Sequence, residues 1–127
     1  MKTILFLFFF SIFSFTYSQE WKFLLTTGES EYFYRPNNSE TAWFKIVSAK
    51  TEYYDKSLRK LKTVDGHKIL LCKFDCENKK MGLIKFTTYN KEGKVMESDS
   101  KNEVLVNMDY VNPDSVGEAM LYEFCKL

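Results

Sequence analysis

The sequence predicts an α+β domain: a single antiparallel β-sheet of about six strands in meander order, with a C-terminal α-helix packed on one face. Three observations carry this. Short aromatic and β-branched runs recur through the body of the chain, bounded by turn residues. The gaps between them are too short for the crossover of roughly a dozen residues that a parallel pair needs. At the C-terminus the hydrophobic period then changes from that of a strand to that of a helix.

Residues 1–18 (MKTILFLFFFSIFSFTYS) precede the domain and read as a secretory signal peptide. Lys2 is the positive n-region, residues 4–15 are almost unbroken apolar chain, and Thr16 and Ser18 are small residues that place cleavage before Gln19. The run is short for a bilayer span, so a retained anchor is the weaker reading, and no second apolar stretch follows. The expected destination is the periplasm, the medium or the cell surface. Removing 18 of the 127 residues leaves 109, one domain spanning 19–127 with one modest core.

Within that domain, residues 21–27 (WKFLLTT) and 31–35 (EYFYR) read as strands broken by Gly28-Glu29-Ser30. Residues 36–39 form a loop, and 42–54 (AWFKIVSAKTEYY) the next strand. Residues 55–63 are basic and ambiguous, and Asp65-Gly66 is a turn signal. Residues 67–77 follow as a strand with Leu70, Cys72, Phe74 and Cys76 on one face. Residues 81–89 and 94–100 make a hairpin through Asn90-Lys91-Glu92-Gly93, where Gly93 supplies positive φ. The helix starts at Ser115, with Glu118 completing a capping box, and carries a stripe of Val116, Met120, Leu121, Phe124 and Leu127. Cys125 lies on the edge of that stripe. So short a helix must be held by tertiary packing.

Charge narrows the partners. Loss of Lys2 brings 18 basic residues to 17, against 17 acidic ones. A neutral chain gives no electrostatic case for nucleic acid or an anionic membrane surface. The expected partner is a protein, with no membrane span after signal removal, and a homodimer is also allowed.

Cys72, Cys76 and Cys125 would meet an oxidising compartment, where one bridge and one leftover thiol are the simplest outcome. Cys125 pairs with Cys76 or Cys72. The residues favour Cys76, which leaves Cys72 as a small buried apolar residue or, if accessible, a link between two copies. No metal site is expected, because C-x3-C without a second pair is a weak signal. No cofactor is expected either, since the glycines are isolated and form no phosphate loop. No catalytic residue is assigned. His67, the single histidine, is expected solvated at a turn, and Glu29, Glu31, Glu40, Glu52 and Asp55 are scattered. Tyr32, Phe33, Tyr34, Trp43, Phe44, Tyr53 and Tyr54 are read chiefly as core, with a binding platform as the rival. Alternation puts Tyr32 and Tyr34 opposite Phe33, so each reading is open to part of the cluster.

Several stretches together resemble the surface-adhesin protein E family of small exported bacterial proteins. They are Gln19-Glu20-Trp21, the Tyr-rich segment at 32–34, Trp43, Phe74-Asp75-Cys76, the Tyr-Asn-x-x-Gly-Lys-Val hairpin at 89–95, and Pro113-x-Ser-Val-Gly-Glu ending in Phe124-Cys125-Lys126. The resemblance implies a helix tethered to the concave face of the sheet by a disulfide, which maps onto Cys76 and Cys125. It also implies dimers and binding of laminin, vitronectin and plasminogen, with no binding residue to carry over. This chain departs by lacking a lipid-attachment cysteine and by the extra Cys72. The expected function is therefore an exported, non-enzymatic binding protein. The alternatives are a periplasmic structural or envelope-associated protein, or an inhibitor of an exported enzyme such as lysozyme that presents residues 36–41 as a protruding loop.

Overall fold

The computed structural model describes residues 20–126; the signal peptide expected over 1–18, Gln19 and Leu127 lie outside them. Along the chain run β1 (Lys22–Thr27), β2 (Ser30–Pro36), β3 (Thr41–Asp55), β4 (Lys60–Asp75), β5 (Lys80–Asn90) and β6 (Val95–Ser100). A single 3-10 turn (Glu103–Leu105), the short β7 (Asp109–Tyr110) and α1 (Val116–Cys125) complete it. Strands β1 to β6 lie side by side in chain order, every pair antiparallel. The meander and its terminal helix are those expected. Strand β7 is an addition: it pairs with the first residues of β5, Lys80 to Tyr110 and Met81 to Asp109, on the edge that β6 occupies further along.

The centre of the sheet differs from expectation. Asp65-Gly66 makes no turn; β4 runs through it as one strand of 16 residues, opposite the 15 of β3. Gly66 is there because β5 crosses close by, and a Cβ would fall 1.9 Å from the Tyr89 carbonyl oxygen. The turn lies at residues 56–59, inside the ambiguous basic segment. The Asp55 carboxylate organises it, accepting from the Ser57 hydroxyl (2.6 Å) and from the backbone N–H groups of Ser57 (3.0 Å) and Leu58 (3.2 Å). Those bonds, the Ser57 hydroxyl first, hold the carboxyl at a pKa of about 2.

One face of the sheet is covered. From it Tyr34, Ala42, Phe44, Cys72 and Phe74 meet Met120 and Leu121 of α1 in the main core. Phe44, Ala42 and Leu121 are fully buried or nearly so, at 0%, 0% and 1% exposure. An aromatic chain crosses the layers: Tyr34 to Phe44 at 5.5 Å, Phe44 to Phe74 at 5.8 Å, and Phe74 stacked on Phe124 of α1 at 4.6 Å. Cys76 and Cys125 form the disulfide, with a Cα–Cα distance of 5.7 Å. Cys76 sits in the turn just past β4 rather than on the strand's core face. The Lys22 ammonium donates to the Glu123 carboxylate at 2.7 Å, tying α1 to β1 as well.

The helix start is half as expected. Ser115 caps it, its hydroxyl oxygen accepting from the Glu118 N–H at 3.2 Å. Glu118 reaches back to the N–H of Asp114 at 3.4 Å instead of Ser115. Asp114 adopts a left-handed φ of 59°, a conformation that Asp enters more readily than most side chains.

Candidate functional site: the open face of the sheet

Among the described residues, the other face carries no helix. Register and alternation assign its side chains row by row. Arg35 of β2 pairs with Trp43 of β3, Trp43 with Leu71 of β4, and Leu71 with Lys85 of β5. The next row is Phe33, Lys45, Ile69 and Thr87. The third is Glu31, Val47, His67 and Tyr89. Apolar and aromatic groups share this face with Arg35, Lys45 and Lys85, and no other layer covers it among the described residues.

A groove of about 400 Å³ opens along these rows. Ile69 and Thr87, the aromatic rings of Trp21, Trp43 and Tyr89, and the cations Arg35 and Lys85 line it. The loop between β2 and β3 supplies one wall through Pro36 and Asn37. That loop is braced rather than a free finger. Asn37 donates to the Thr41 hydroxyl at 2.8 Å, Asn38 accepts from the Thr41 N–H at 2.9 Å, and the Trp43 indole N–H donates to Asn37 at 3.3 Å. Thr41 is 1% exposed as a result.

The electrostatics of this face are one-sided. The Arg35 guanidinium and the Lys45 ammonium lie over the Trp21 ring, at 5.8 Å and 5.9 Å from its centroid. The ion pairs among the described residues, Lys22–Glu123, Lys50–Glu29, Lys62–Asp55 and Lys126–Glu123, leave out Arg35, Lys45, Lys73 and Lys85. His67 is not the solvated turn residue expected. It lies within β4, half-buried and stacked on Tyr89 at 4.9 Å, and burial followed by the Lys45 charge push its pKa down.

The remaining candidates fall elsewhere. Cys72 is 2% exposed, and burial pushes its thiol up to about 12. It is the small buried residue expected, with no access to a second copy. Asp55 is engaged in its turn and pairs with Lys62, while Glu29 pairs with Lys50. No cluster of three or more His, Cys, Asp and Glu groups suited to a metal occurs among the described residues. The aromatic cluster divides. Tyr34, Phe44 and Tyr53 are buried, Phe33 and Trp43 belong to the open face, and Tyr54 is exposed. Sequence reasoning missed Lys85 and Tyr89 as site residues, although alternation along β5 places them on one face with Thr87.

A model of the surface-adhesin protein E family matches residues 21–126, nearly all of the described chain. The chain belongs to that family. Neither the curated proteins nor the solved structures include a match to it. The family points to an exported or surface protein with a binding role. No helix among the described residues is long and apolar enough to cross a membrane.

Proposed function

We propose that this chain is an exported, non-enzymatic protein-binding domain, spanning 19–127 after removal of a signal peptide, that engages its partner through the open face of the sheet. One observation carries the reading: both tryptophans of the chain line the same uncovered groove. A sheet face that buried nothing would ordinarily be polar, alternating with the apolar core face. Here it presents Trp and Arg, the residue types that dominate binding hot spots. Membership in the adhesin family supports a binding, non-enzymatic role.

The test is solid-phase binding of the purified mature chain to laminin, vitronectin, plasminogen and detergent-solubilised envelope protein. The expected result is saturable binding to at least one of them, weakened tenfold or more by Trp43→Ala in a protein whose circular dichroism is unchanged. Absence of binding to every component, or a Trp43→Ala variant that binds as tightly as wild type, overturns the reading.

A further inference from the structure

The first row of the open face has a pattern that selects among protein ligands. Arg35, Trp43, Leu71 and Lys85 are paired neighbours on four adjacent strands, so the row runs cation, aromatic, aliphatic, cation. Its two cations are three strand spacings apart, about 14 Å along the hydrogen-bonding direction. An extended peptide advances about 3.3 Å per residue and turns every second side chain to the same side. Side chains at i, i+2 and i+4 of a crossing peptide therefore face the sheet together and span about 13 Å. That span matches the distance between the cations, with the middle side chain falling at the centre of the row.

We propose that the open-face groove binds an extended acidic peptide segment, with carboxylates at i and i+4 against Arg35 and Lys85 and an aromatic or aliphatic side chain at i+2 against Trp43. The inference rests on the open face being the binding surface. Charge complementarity supports it. Arg35 and Lys85 are left without a carboxylate partner among the described residues, and Lys45 and Lys73 extend the positive field on the same face. The single acidic residue in the three rows, Glu31, lies in the third, away from the Arg35–Lys85 row. An acidic peptide is favoured over a sulfated polysaccharide because Ile69 and the rings of Trp21, Trp43 and Tyr89 line the groove, and a chain of hydroxyls and sulfates leaves that apolar lining unfilled.

Because both tryptophans lie in the groove, intrinsic fluorescence reports occupancy directly. The mature chain is titrated to millimolar concentration with the blocked heptapeptide Ala-Glu-Ala-Phe-Ala-Glu-Ala. Parallel titrations use its Glu→Gln counterpart, its Phe→Ala counterpart and dextran sulfate. The expected result is a saturable change in emission with the acidic aromatic peptide alone, weakened at least fivefold by Lys85→Gln and by Arg35→Gln, and weakening as salt is raised. Lys85 is exposed, so that variant keeps its fold even if Arg35→Gln does not. If the Gln peptide binds equally well, the acidic selection is wrong while the open face stands as a binding surface. If dextran sulfate or the Phe→Ala peptide matches the acidic aromatic peptide, the central apolar contact is wrong. If no peptide changes the emission, the inference falls; whether the open face falls with it is decided separately by the Trp43→Ala binding assay.

Discussion

The two faces of this sheet use similar side chains for opposite ends. On the covered face Tyr34, Phe44 and Phe74 stack toward Phe124 of the helix and disappear from solvent. On the open face Trp21, Trp43 and Tyr89 stand around a groove, with cations between and over them. The difference comes from one short helix. Ten residues of α1, held by a disulfide and an ion pair, turn one face into a core and leave the other as surface. Aromatic content in a strand therefore does not distinguish core from binding platform. The presence of a second layer does.

The comparison is broken most severely by removing what holds the helix. The bridge joins residues 49 apart in sequence, and Cys125→Ala is expected to cost about 4 kcal/mol in a denaturant titration, from the lost constraint on the unfolded chain. Next, Leu121→Ala is expected to cost about 3 kcal/mol, since the side chain is 1% exposed and leaves a cavity between helix and sheet. Trp43→Ala sharpens the contrast from the other side. Truncating a larger, half-buried side chain on the open face is expected to cost no more than about 1 kcal/mol in the same titration. If Trp43→Ala costs as much as Leu121→Ala, the open face is part of the fold's stability and not reserved for binding.

The smallest effect lies at the far tip, away from both faces' centres. Asp55 has a folded pKa of about 2 against 3.8 for the unstructured group. Its contribution to stability is therefore present above pH 3.8 and is lost as the pH falls toward 2. Asp55→Ala is expected to speed amide exchange at Ser57 and Leu58 at neutral pH, with little change in α1. The difference between variant and wild type should shrink as the pH falls through about 2.

Much of the covered face was legible from local pattern. Leu70, Cys72 and Phe74 alternate in β4, and Met120 and Leu121 recur with Phe124 at helical spacing. The residues favoured Cys76 over Cys72 as the partner of Cys125 and the resemblance strengthened that choice; the fold forms the Cys76–Cys125 bridge and buries Cys72 as a free thiol. The central hairpin was misread because Asp-Gly is a turn signal only when both residues are free to turn. Gly66 answers instead to the approach of the β5 backbone, which is a long-range contact. The true turn depends on Asp55 accepting from its neighbours, a signal present in Asp55-Lys56-Ser57 but weaker than Asp-Gly.

The sequence by itself determined the antiparallel meander, the terminal helix with its Ser115 cap and the alternating faces, because turn chemistry and hydrophobic period act over a few residues. Only the tertiary structure decided that β4 would run straight through Asp65-Gly66, that Cys76 would sit in the turn past the strand and that Trp43 and Leu71 would stand between Arg35 and Lys85 across four strands. Those outcomes depend on strand register, and register is set by pairing between residues far apart in the chain.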